Sequence, residues 1–261
     1  MVVMHFSIME IFLWLKAISI AMARLLPIVV LVPFFSSREV KGMLRYSITF
    51  SLALVVAPGL VGHSLIADIT AEHMAFLVLK EVSIGVVVGA LLAMPFWVFD
   101  SVGALFDNQR GALIGGQFNP LLAGASSPIG HILQQCVIII LITVVGVEVL
   151  LNTMWTTYEI WSPFSMIPEF PEDIAQRWLL DISKVFLAIV VYTSPLIVLM
   201  LFIEFAMALL GLYSPQMQVF VLSIPVKCLV GLTSLTMYLV VLFKFMEKEI
   251  LYFGDIIRVF L

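Results

Sequence analysis

Tyr46–Ala67, YSITFSLALVVAPGLVGHSLIA, runs for 22 residues without Asp, Glu, Lys or Arg. Phe205–Val226 is a second stretch of 22 residues free of those charges, interrupted at Ser214-Pro215. A helix rises about 1.5 Å per residue, so about 20 apolar residues cross a hydrocarbon core about 30 Å thick. Both stretches reach that length, and neither alternates with the period of two that a half-buried strand requires. Both are read as helical, the first as one membrane-crossing helix and the second as the ends of two helices that meet at Ser214-Pro215.

Working outward, charges punctuate the rest of the chain at similar intervals. The expected spans are Ile11–Phe35, Tyr46–Ile66, Met74–Phe99, His131–Leu151, Val185–Tyr213 and Met217–Phe243. The fold class is all-α, a polytopic integral membrane protein with about six apolar helices. Composition agrees, since the 261 residues are 62% hydrophobic and 11% charged. Soluble domains average about 45–50% apolar and about 25% charged. Such an excess does not fit one core of this size, so membrane lipid or partner subunits must cover the rest. The net charge of -4 and the lack of a basic run give no footing for nucleic acid. Cys136 and Cys228 lie in apolar stretches and read as packing residues. The N-terminus lacks a basic n-region and a small-residue cleavage site, so no removable signal is expected. Residues 1–261 read as a single domain.

Three connecting regions stand out. Ser36–Arg45 carries Arg38, Lys41 and Arg45. Gly111–Gly130 is uncharged but crowded with helix breakers, from Gly115 and Gly116 to Pro120 and Pro128, and reads as a loop or broken helix shielded by protein. Ser162–Asp181 holds Glu169, Glu172, Asp173 and Asp181, with a helix start near Pro171. The positive-inside rule is at odds with itself. Arg38, Lys41 and Arg45, and also Lys244, Lys248 and Arg258, all favour the cytoplasm, yet five simple crossings separate the two groups. Either one segment does not cross, or the helices are not laid out as an ordinary bundle.

Three constellations carry candidate sites. Glu81, Gly85, Gly89 and Ala93 recur every four residues and form one small-residue stripe with a carboxylate at its end. It serves either ordinary helix packing or a contact with another subunit. Lys80 is expected to point elsewhere, because adjacent residues do not share a helix face. Glu204 and Lys227 lie equally far from Ser214-Pro215-Gln216, which reads as the tip of a helical hairpin. At about 17 Å from the turn both stand near mid-membrane depth, where an isolated charge costs about 2.5 kcal/mol or more. They either meet as a buried pair or each meets a different subunit. Asp107-Asn108-Gln109-Arg110-Gly111 opens the glycine-rich region. It forms either a loop bonded to its own backbone or a polar constriction beside an aqueous path. Trp97, Trp155, Tyr158 and Trp161 suit a membrane interface.

The zinc-protease, nucleophile-elbow and phosphate-loop patterns are missing, and the four histidines are scattered singly. No catalytic residue, metal site or cofactor is expected. A self-sufficient small-molecule transporter, with Gly111–Gly130 as a broken helix at a substrate site, is the alternative reading.

One family carries these blocks in this order. Arg24-Leu25-Leu26-Pro27 is followed by Pro33-Phe34, then by Lys80-Glu81 with Gly85 and Gly89, and by Pro95-Phe96-Trp97. Gly103 and Asp107 to Gly111 come next. Glu204, Pro215-Gln216-Met217, Phe220, Ser223, Pro225, Val226 and Lys227 complete the series. The sequence resembles the SctT/FliR family of type III secretion and flagellar export, and the Asp-x-Gln-Arg-Gly block looks more like the virulence-type SctT branch. The resemblance implies a non-enzymatic export-gate subunit of the bacterial inner (plasma) membrane, within the basal body. It also implies SctR-, SctS- and SctU-type partners, hairpins assembled around a pore, and unfolded proteins as the passing substrate. Carried over, Asp107, Gln109, Arg110, Gly111, Pro215 and Gln216 become candidates for a pore or closure loop. Glu81, Gly85, Gly89, Glu204 and Lys227 become candidates for subunit packing or buried charge.

Overall fold

The computed structural model describes residues 8–35, 40, 42–62, 66, 69–111, 127–165, 174–213 and 219–259. Among them the regular structure is helical. The helices are α1 (Ile8–Leu31), α2 (Met43–Val61), α3 (Ala71–Gln109), α4 (Pro128–Ile140), α5 (Val147–Ile160), α6 (Ile174–Tyr213) and α7 (Val219–Val259). Six helical stretches are long and apolar enough to cross a membrane, so the polytopic all-α reading stands.

The ends differ from the expected spans for identifiable reasons. The run from His131 to Leu151 is broken: α4 passes into a π turn over Leu141–Val145, and Gly146 stops it with φ 90. That is a left-handed conformation which favours glycine. The chain restarts as α5. α1 stops at Leu31, short of Phe35, and α2 at Val61, short of Ile66. Three other helices outrun their spans, because charges end a membrane crossing without ending a helix. α3 continues past Phe99 to Gln109, α6 starts at Ile174 instead of Val185, and α7 runs beyond Phe243 to Val259. With 39, 40 and 41 residues, these three helices are each about 60 Å long, twice the hydrocarbon thickness.

Prolines sit inside four of the helices that carry candidate spans other than α2: Pro27, Pro95, Pro195 and Pro225. Pro195 lacks the N–H that would bond Val191 O four residues back. Ser194 Oγ donates to that carbonyl instead, at 2.8 Å.

The chain forms two compact units: residues 1–93, 147–172 and 253–261, and residues 94–146 with 173–252. In the first, α1 and α2 pack together around Ile20, Leu25, Ile28, Ala53 and Ala57. Gly85 and Gly89 of α3 meet α1 of the same chain. A Cβ on Gly85 would lie 2.2 Å from Arg24 O, and one on Gly89 would lie 2.9 Å from Ile28 Cα. The expected small-residue groove is therefore filled from within the chain, and its close approach is an intramolecular crossing. In the second unit α3 crosses α4 just as closely, with Gly103 against Gly130. Phe96, Phe99, Phe106, Leu133 and Met200 are fully or almost fully buried there.

Candidate functional site

In the first unit a lone arginine in an apolar helix gathers three elements. The Arg24 side chain is wholly buried, and its Nε donates to Glu81 Oε2 at 2.5 Å. Its Nη1 donates to Thr157 O at 2.6 Å and its Nη2 to Trp161 O at 2.8 Å. Those carbonyls belong to the last turn and exit of α5, where a partial negative charge gathers, and Thr157 O also accepts the Trp161 backbone N–H at 3.1 Å. The guanidinium also lies over the Tyr158 ring, 4.2 Å from its centroid, and Tyr158 Oη donates to Ala21 O at 3.0 Å. Burial pushes the Tyr158 phenol above its usual range, against the opposing pull of Arg24. Tyr158 and Trp161, expected at a membrane interface, thus belong to this packed corner, whereas Trp97 is 40% exposed.

Lys80 corrects a second expectation. Adjacent residues leave a helix in different directions, yet the lysine stem is long enough to swing its ammonium back to 3.0 Å from Glu81 Oε1. The same ammonium donates to Pro163 O and Ser165 O, each at 2.7 Å.

In the second unit Asp107 is fully buried at the end of α3 and accepts four donors. Arg110 supplies Nε at 2.7 Å and Nη2 at 2.6 Å. Ser127 Oγ donates to Asp107 Oδ2 at 2.5 Å, and the Ile129 backbone N–H donates to it at 2.9 Å. Ser127 is also the N-cap of α4, accepting from Gly130 N at 2.9 Å ahead of Pro128. Asp107 therefore ties the end of α3 to the start of α4. Gln109 is half-buried beside this cluster, and Gly111 turns the chain out of α3 with φ 81. The intervening residues 112–126 lie outside the described residues.

Glu204 and Lys227 meet between α6 and α7, with Nζ donating to Oε1 at 2.6 Å. The pair is one-sided: the Lys227 side chain is 9% exposed and that of Glu204 is 53% exposed. Only the lysine is buried, because α6 turns the carboxylate's flank outward beside exposed Phe202 and Phe205. Pro215 and Gln216, at the expected hairpin tip, lie outside the described residues.

Residues 15–252 match the model of the bacterial export proteins, family 1. The chain belongs to this family. The Yop proteins translocation protein T of Yersinia pestis is 30% identical over 238 residues, which cover 91% of each chain. The surface presentation of antigens protein SpaR of Salmonella typhimurium is 28% identical, over 84% of this chain and 81% of the relative. The flagellar biosynthetic protein FliR of Bacillus subtilis is 24% identical, over 91% and 90%. These Yop and SpaR relatives thus stand nearer to this chain than the flagellar one does.

In this bacterial export protein the three ionic groups hold helices in register: α1 with α3 and α5, α3 with α4, and α6 with α7. Reading the sequence missed two of their members. Arg24 was noted only as part of a motif, although a cation inside an apolar span itself signals a buried acid. Ser127 carries no expectation of its own in the sequence, although Ser-Pro ahead of an apolar run is a helix-start signal. A fourth join, from Tyr192 Oη to Glu249 between α6 and α7, left no sequence signal because tyrosine and glutamate are both common at helix surfaces.

Proposed function

We propose that this chain is a subunit of the type III secretion export gate, part of the inner-membrane channel through which unfolded proteins leave the bacterium. Its family membership makes it a component of a bacterial export apparatus. The observation that carries the further step is the surface of α6. Leu179, Phe186, Leu187, Phe202, Phe205 and Tyr213 are all exposed. From the first to the last is about 50 Å along the helix, well beyond a hydrocarbon core of about 30 Å. Lipid covers only part of such a length; neighbouring protein must cover the rest. SctR-, SctS- and SctU-type subunits are the partners that fit, in an assembly whose helices do not simply cross the bilayer. Such an arrangement also relieves the conflict in the positive-inside count.

In this reading the chain acts as one domain and catalyses nothing. The tied ends around Asp107, Gln109, Arg110 and Gly111, together with Pro215 and Gln216 at the hairpin tip, serve the pore or its closure. Glu81 holds the first unit together, and Glu204 and Lys227 serve the hairpin and its neighbours.

The test is extraction of the tagged chain in mild detergent, followed by identification of the chains that accompany it. A particle holding the small export subunits is expected, together with loss of secretion on deletion. A stable, monodisperse single chain that moves a small solute in liposomes would overturn the proposal in favour of a transporter.

A further inference from the structure

Lys80 places its ammonium among four oxygens supplied by the chain. Pro163 O and Ser165 O lie at 2.7 Å, Glu81 Oε1 at 3.0 Å and Ser162 O at 3.4 Å. A primary ammonium has three N–H donors, and the three backbone carbonyls accept them. Glu81 Oε1 is buried and accepts no well-directed hydrogen bond among the described residues, so its contact with Lys80 is one of charge. The carbonyl end of α5, just upstream at Ile160, adds negative potential to the same corner. The Lys80 side chain is 8% exposed, which sets this shell immediately beneath the surface.

We propose that residues 162–165 and Glu81 form a site for a primary ammonium ion, and that the chain fills it with its own Lys80. In the segment that leaves α5, Ser162 O accepts from Ser165, whereas Pro163 O and Ser165 O accept from Lys80. The tethered ammonium replaces the donors that a continued helix would have provided. Arg24 adds charged donors to Thr157 O and Trp161 O one turn earlier, and Glu81 is the shared counter-charge. The site thereby fixes the path of residues 162–165. It is independent of the export reading, since it requires no partner chain.

Lys80→Ala in the full chain, purified in detergent, empties the site while leaving the shell. The amide N–H of Ser165, which bonds Ser162 O, is expected to exchange roughly tenfold faster in this variant. Ethylammonium chloride at high millimolar concentration restores its protection. Tetramethylammonium chloride at equal ionic strength, which has no N–H to donate, does not. Unchanged exchange at Ser165 in the variant, or equal restoration by both salts, would overturn the proposal. A measurement on the unaltered chain stands beside it in case the variant fails to fold. An amine-directed acylating reagent should modify Lys80 far more slowly than Lys184, whose side chain is 56% exposed. Equal rates at the two lysines would likewise overturn the proposal.

Discussion

Glu81 and Glu204 each carry a carboxylate on a long apolar helix, and each is paired with a cation, yet their surroundings are opposite. Glu81 is enclosed on all sides, with Arg24 at 2.5 Å and Lys80 at 3.0 Å. Glu204 meets Lys227 at 2.6 Å with more than half of its side chain exposed. A buried ion pair recovers its desolvation cost only when both partners stay and their remaining hydrogen bonds are met. An exposed pair gains little and loses little. The comparison teaches that a short ion-pair distance does not by itself measure what a pair contributes. The first group is enclosed within one chain, whereas the second is open on its Glu204 side.

The largest effect is expected from breaking the enclosed group. Arg24→Ala strands Glu81 beside a single lysine and removes a charged donor from Thr157 O and from Trp161 O at the end of α5. Losses of this kind cost about 3–5 kcal/mol. The variant should fail to accumulate in the membrane, read by immunoblot and by thermal unfolding of whatever is recovered. Gly85→Ala attacks the same crossing sterically, since its Cβ would fall 2.2 Å from Arg24 O. Separating the helices to admit it should cost about 1–3 kcal/mol, read as a lowered melting temperature.

Asp107→Asn tests the comparison at an intermediate point. The amide oxygen can still accept from Ser127 and Ile129, but the charge facing Arg110 is lost. A destabilisation of about 1–3 kcal/mol is expected, with new protease cleavage between residues 111 and 127 as the local readout. Glu204→Ala strands the buried Lys227 ammonium on the open side of the pair, so about 1–2 kcal/mol is expected for the isolated chain, together with a reduced yield of assembled complex. If it instead lowers the melting temperature of the lone chain as far as Glu81→Ala does, exposure does not separate the two groups. Equal, small effects of Glu81→Ala and Glu204→Ala on folding would break the comparison from the other side.

Legibility followed the range of the interaction concerned. The spans could be read because membrane solubility acts on each stretch of some 20 residues separately. The meeting of Glu204 and Lys227 could be read because a hairpin relates residues by their distance from one turn. The full reach of the spans could not, since Asp181 and Lys184 interrupt hydropathy but are accommodated on α6 by pairing with each other and with Tyr252 of α7, the carboxylate buried and the ammonium exposed. The reach of Lys80 was missed because a rule about adjacent residues describes where side chains leave the backbone, and a four-carbon stem travels well beyond that point.

Sequence alone determined that the chain is a membrane protein of apolar helices, and its ordered blocks pointed to the export family it belongs to. Those properties are sums over local residues, or patterns along the chain. Only the tertiary structure decided that Arg24, Glu81, Lys80 and the end of α5 form one group, and that Gly85 and Gly89 receive the chain's own α1. Partners separated by 57 and 133 positions are brought together by helix crossings, and crossing geometry depends on the fit of whole surfaces, to which no single residue testifies.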